Sequence, residues 1–186
     1  PLESGTALLD GPALQGILDT PSDKPLPREH WLAEGEVAYI LFTSGSTGKP
    51  KGVPITGANL ANFNRGLQPY MEQGGGVILN QISYSFDVSC CSVYTGLARG
   101  MTLFTVDSAM LADMGELYAA LRESGLTTWV STPSFAELCV RSRSFSAELL
   151  PDLRRFLFCG EVLTHKLCDQ LAQRFPGAEI LNTYGP

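Results

Sequence analysis

The sequence predicts an α/β fold, a mostly parallel sheet flanked by helices. Three observations carry this. From residue 36 onward, short apolar runs of strand length alternate with longer segments of helical period. Glycine and proline fall at the ends of these segments, and the connections between them are short. No internal repeat interrupts the alternation, which is the signature of successive crossover units.

Residues 1–35 are rich in Pro and Gly, with little periodicity, and read as a loop-rich connector from a preceding part of a larger protein. Residues 36–186 read as the α/β unit. Its first strand, 37–42, is a continuous apolar run of the kind buried on both faces. A glycine-rich loop and the short Val53-Pro54-Ile55 segment follow, and Thr56 can cap a helix reaching about Tyr70. Strands are then expected at 76–80, 101–106, 127–130, 155–159 and 178–182. Helices are expected at 88–98, 113–124, 134–141 and 164–175, several of them closed by glycine: Gly100, Gly125 and Pro176-Gly177. In such sheets ligands gather at the carboxyl ends of strands, so chemistry is sought there.

The 186 residues suit one compact domain or a large piece of a bigger enzyme, and 44% hydrophobic content excludes overall disorder. A net charge of -6 argues against a general nucleic-acid binder. No apolar run approaches the roughly 18 residues of a membrane span, and the first twelve residues lack a signal-peptide pattern. A soluble, cytoplasmic protein is expected, without membrane insertion. Five cysteines without C-x-x-C spacing and only two histidines indicate neither a disulfide framework nor a metal site.

Four strings could carry chemistry, each following a strand. The first is Thr43-Ser44-Gly45-Ser46-Thr47-Gly48-Lys49-Pro50-Lys51-Gly52. Its glycines let backbone N–H groups converge, its hydroxyls add donors, and Lys49 and Lys51 add charge. No acidic residue occurs between Val37 and Met71 to offset them, which suits a polyphosphate. The spacing is not that of the Walker loop, where four residues separate the glycines and Ser or Thr follows the lysine. The second is Asp87, the only carboxylate between Gln73 and Val106. It reads equally as a helix N-cap or as a pocket carboxylate pairing with a ligand ammonium. The third is Cys159-Gly160-Glu161, where Gly160 permits close approach of a flat group and Glu161 also suits a helix start. The fourth is Asn182-Thr183-Tyr184-Gly185-Pro186, in which Tyr184 could stack on a base or fill a turn.

Together and in this order the strings resemble the adenylate-forming (AMP-forming) ligase superfamily. The phosphate-loop match is TSGSTGKPKG at 43–52, followed by FDVS at 86–89, TPS at 132–134, GE at 160–161 and NTYGP at 182–186. Within it the chain looks most like the ligases that load D-alanine onto a carrier protein for teichoic acid D-alanylation. The resemblance implies phosphate binding by Thr43, Ser44, Gly45, Ser46, Thr47, Gly48, Lys49 and Lys51. It implies adenine contacts from Gly160, Glu161, Asn182, Thr183 and Tyr184. It also implies amino-acid contacts from Asp87 and Cys159, beside Gly185. ATP with Mg²⁺ would be the cofactors, and D-alanine and a D-alanyl carrier protein the partners.

The family continues beyond Tyr-Gly-Pro with Thr-Glu, whose glutamate helps hold Mg²⁺, and later with a lid bearing the catalytic lysine. The resemblance therefore implies an internal piece of the enzyme, with no catalytic residue or metal ligand of its own, inactive alone and prone to self-association. Two alternatives stay open: a peptide-synthetase adenylation domain for another amino acid, and a nucleotide-binding module without turnover. A fatty acyl ligase is disfavoured, because Asp87 would repel a carboxylate substrate lacking an ammonium.

Overall fold

The computed structural model describes residues 11–20, 24–43, 49–72 and 74–185. The chain divides into two compact units, residues 1–33 and 34–186. The smaller is not all loop. Its described residues hold helix α1 (Gly11–Leu18) and a 3₁₀ turn, Arg28–His30. There the Trp31 indole donates to the Leu26 carbonyl at 3.0 Å while Arg28 lies 5.5 Å from its ring centre.

The larger unit is built on five parallel strands in the order β4-β3-β5-β6-β7: β3 (Val77–Asn80), β4 (Thr102–Thr105), β5 (Thr128–Ser131), β6 (Arg155–Phe158) and β7 (Glu179–Asn182). Alternation along each strand divides the core into two layers. Leu79, Trp129, Phe156 and Phe158 face one side, where α5 (Met114–Glu123), α6 (Pro133–Cys139) and α7 (His165–Arg174) bring Leu117, Leu121, Phe135, Leu167 and Leu171. Ile78, Val130 and Leu157 face the other side, with Val88, Cys91 and Met101. Trp129 is the hub of the first layer, its ring centre 5.1 Å from Phe145 and 6.0 Å from Phe156. Each such ring, fully buried, is worth about 1.5–3 kcal/mol of burial.

The helix caps follow the sequence. Thr56 accepts from the Asn59 amide, and Asn59 accepts in return from the Thr56 N–H, a closed capping box on α2 (Gly57–Leu67). Asp113 and Thr164 cap α5 and α7. Asp107 caps a further short helix, α4 (Ser108–Ala112), between β4 and α5. The expected helix over 88–98 begins at Ser89 and widens into a π-turn, Cys91–Thr95, before the α-helical turn α3 (Gly96–Ala98).

One expectation is corrected. The apolar run at 37–42 is not a strand of the parallel sheet buried on both faces. It forms β1 (Val37–Thr43), paired antiparallel with β2 (Lys51–Thr56) in a separate two-stranded sheet. Tyr39 and Leu41 point to one side and are half-buried, whereas Ile40 and Phe42 point to the other and are exposed, Phe42 by 70%. An apolar run is consistent with either arrangement; pairing with the short Val53-Pro54-Ile55 segment selects this one.

Candidate functional site

The chain runs from β3 to β4 on one side, then crosses back over β3 to enter β5 on the other. Connections leaving the adjacent strands β3 and β5 diverge there, opening a crevice at the carboxyl edge of the sheet. Three loops meet at it. A methyl placed on Gly160, after β6, would stand 3.8 Å from both Val88, after β3, and Thr132, after β5. Gly160 itself has φ +86°, a left-handed backbone that favours glycine.

Bonds at the strand ends hold the loops after β3 and β7 in place. Asn80, at the end of β3, donates from one amide nitrogen to Tyr84 Oη at 2.9 Å and Thr105 Oγ1 at 3.1 Å, tying the ends of β3 and β4 together. Ser92 Oγ donates to the Leu79 carbonyl at 2.8 Å. Thr183 donates from both its amide and its hydroxyl to the Phe158 carbonyl, at 2.8 and 2.9 Å, which fixes the turn after β7 against the end of β6.

A cleft of about 540 Å³ opens over these loops. Asp87, Cys159, Thr183, Tyr184 and Gly185 line it, so the loops after β3, β6 and β7 share one cavity. Asp87 also lines an adjoining cavity of about 300 Å³ with Thr43 and Val53 of the hairpin, and so stands where the two cavities meet. Among the described residues no hydrogen bond or ion pair reaches its carboxylate, which is exposed to the cleft.

The remaining expected residues distribute differently. Ser44, Gly45, Ser46, Thr47 and Gly48 lie outside the described residues. Lys49 is exposed, and Lys51 opens β2 opposite Thr43. Gly160, Glu161 and Asn182 do not line the large cleft. Glu161 is instead engaged by α6: its two carboxylate oxygens accept from the Ser134 amide and hydroxyl, each at 2.9 Å. Tyr184 is 92% exposed at the cleft mouth.

The rest of the cleft wall was not anticipated. From α2 come Asn59, Phe63, Gly66 and Leu67, and from the hairpin Tyr39, Leu41 and Ile55. The signal existed: residues at i, i+4, i+7 and i+8 form one stripe of a helix, and 39 and 41 share a strand face. Nothing in that spacing says which partner the stripe faces.

Burial governs the thiols. Desolvation, then the neighbouring Cys159, Cys90 and Asp87, pushes the Cys91 thiol from 9.0 up to about 12, so it lines the cleft as a neutral apolar group. Tyr39 is raised far above its ordinary value, first by desolvation and then by its contact with Cys90. Among the described residues no three carboxylate, thiol or imidazole groups gather as metal ligands.

Comparison with known proteins agrees with this architecture. D-alanine–D-alanyl carrier protein ligase of Bacillus cytotoxicus is 45% identical over 174 residues, covering 93% of this chain and 34% of that protein. The Bacillus cereus protein of the same name is also 45% identical over 174 residues, with the same coverage. The chain thus spans about a third of the length of these relatives. Among solved structures, the Vibrio cholerae adenylation domain AlmE, in complex with glycyl-adenosine-5′-phosphate, superposes with a TM-score of 0.74 at 29% identity. That match covers 86% of this chain and 30% of AlmE. The AMP-binding enzyme family matches residues 3–186; the chain belongs to that family.

Proposed function

We propose that this chain forms the amino-acid pocket and part of the nucleotide site of an ATP-dependent ligase that activates D-alanine. In this reading the D-alanine carboxylate oxygen attacks the α-phosphorus of ATP, the bond to the bridging oxygen breaks, and pyrophosphate leaves an acyl-adenylate. The phosphopantetheine thiol of a D-alanyl carrier protein then attacks the acyl carbon and AMP departs, the first step of teichoic acid D-alanylation in the cytoplasm.

The observation that carries the reading is Asp87 in an apolar cleft without a protein donor among the described residues. A carboxylate so placed gains most from a charged hydrogen-bond donor on the ligand, and an α-ammonium supplies one. Cys159, on the same wall, would pack against the α-carbon and limit what a substrate carries there. Thr183, Tyr184 and Gly185 line the cleft where the adenylate would lie, and its adenine would reach beyond that lining to Gly160, Glu161 and Asn182. Thr43 and the lysines Lys49 and Lys51 flank residues 44–48, so the glycine-rich loop would meet the β- and γ-phosphates. Mg²⁺ would enter with those phosphates, and the described residues form no cluster of three ligands for it.

The decisive assay is amino-acid-dependent ATP–pyrophosphate exchange by the full-length product of the reading frame encoding this chain. D-alanine is expected to support exchange at least about tenfold better than L-alanine, the scale of discrimination a small apolar contact provides. Preference for glycine or a larger amino acid would favour the peptide-synthetase reading. Exchange with none would leave nucleotide binding alone.

A further inference from the structure

We propose that Tyr39 is a positioning residue that locks the β1–β2 hairpin, and with it the root of the glycine-rich loop, to the helical turn following Asp87. The inference rests on the functional reading above, which gives the two ends of the cleft two substrates to align.

Among the described residues the hairpin makes no backbone ladder with the five-stranded sheet. At its base the segment entering β1 is tied to the start of α2, the Gly57 and Ala58 amides donating to the Glu36 and Glu34 carbonyls, each at 2.9 Å. A two-stranded ribbon is marginal by itself, so side chains must fix its tilt. At the cleft Tyr39 makes such a contact, beside Leu41 and Ile55. Its ring stacks on Tyr94 with centroids 5.5 Å apart and planes 10° apart, and the Cys90 thiol donates to its hydroxyl at 3.4 Å. Cys90 is the residue before the π-turn that follows Asp87, and Tyr94 lies within that turn. Tyr39 and Asp87 line the same cleft.

Leverage makes the contact consequential. Thr43, where the glycine-rich string begins, is four strand residues beyond Tyr39, or about 13 Å at the rise of an extended chain. A tilt of about 10° at Tyr39 would displace that end by about 2 Å, and misplacement of about 1 Å can cost a reaction about a hundredfold. The substrates would still bind through their own groups. The loss would therefore appear in turnover and leave affinity largely intact.

The test uses the full-length protein with Tyr39→Phe, Tyr39→Ala, Tyr94→Ala and the double alanine variant. Tyr39→Ala should slow saturated pyrophosphate exchange about 10- to 100-fold, with half-saturating D-alanine and ATP within about threefold of wild type. Tyr39→Phe, which keeps the stack, should restore the rate to within about threefold, and the double variant should be no worse than the poorer single one. Backbone hydrogen exchange in β1 and β2 should quicken about tenfold in Tyr39→Ala while β3, β5 and β6 hold their protection. Unchanged hairpin protection would overturn the lock. So would a rate loss carried wholly by half-saturating D-alanine, or one that Tyr39→Phe shares in full. Wild type inactive with every amino acid would overturn the functional reading, and hairpin protection would still decide the lock.

Discussion

Ser134 and Glu161, 27 residues apart, form a two-point bond in which the Ser134 amide and hydroxyl donate to separate oxygens of the Glu161 carboxylate, both at 2.9 Å. Ser134 lies in the first turn of α6, after Pro133, where backbone donors lack helical acceptors. Glu161 thus serves α6 as a cap from another loop, binding the connection after β6 to the connection after β5. Glu161→Ala should lower stability by about 1 kcal/mol, the usual worth of a cap, and Glu161→Gln by less. Urea midpoints of the two variants against wild type measure this directly.

Asp87 predicts the opposite balance. Its carboxylate takes no hydrogen bond from the described residues, so Asp87→Asn should leave thermal stability within about 0.5 kcal/mol of wild type. Its effect should fall on the amino acid: half-saturating D-alanine in pyrophosphate exchange should rise about 100-fold, the scale of a lost charge-assisted bond. ATP binding should change little. Equal loss of affinity for both substrates would contradict the assigned role.

The buried thiols predict a pH dependence. Burial raises Cys139 from 9.0 to about 12, and Cys91 rises similarly, burial again leading. In the unfolded chain both would ionise near their ordinary values, so above pH 9 unfolding releases protons that the folded protein retains. Their contribution is fully present below that pH and is lost as pH rises from about 9 to 12. Urea midpoints recorded from pH 7 to 10 should therefore fall at the alkaline end. Brief iodoacetamide treatment at pH 8 should label the half-buried Cys159 and Cys168 before Cys91 and Cys139.

The aromatic layer sets the largest stability effect. Phe156 has no exposed surface and contacts Trp129, Phe158 and Phe175, with ring centres 5.1–6.0 Å apart. Phe156→Ala should cost about 3–5 kcal/mol, transfer and cavity terms together. Phe156→Leu should cost visibly less. Calorimetric melting of the two would distinguish a packing effect from general disruption of β6.

The parallel sheet was legible in the sequence because both of its layers leave a mark. The centres of β5 and β6, Trp129-Val130 and Phe156-Leu157-Phe158, are apolar on successive residues, as strands covered on both faces must be, and the helix ends were signalled by Thr56, Asp113, Thr164 and the closing glycines. The hairpin was not, because burial and pairing are separate facts. Val37, Ile40 and Phe42 are apolar yet exposed within the larger unit, and no local pattern distinguishes them from core residues. At the site, Asp87 and Cys159 stood out by isolation or context, whereas Tyr39, Phe63 and Leu67 are ordinary apolar positions until tertiary structure turns them toward one cleft. Glu161 shows a contact that spacing alone does not reveal: its carboxylate is engaged by Ser134, 27 residues away.

The wide turn at Cys91–Thr95 carries one residue more than an α-helix would use for the same advance. Chain length in that stretch is therefore a quantity the fold has to count. Deleting a single residue there would rewind it to regular pitch and swing the part preceding the deletion by about 100° relative to the part following it. Cys90 and Tyr94 would no longer meet the same phenol, and engineering by insertion or deletion would be tolerated far better beyond Gly100 than within this stretch.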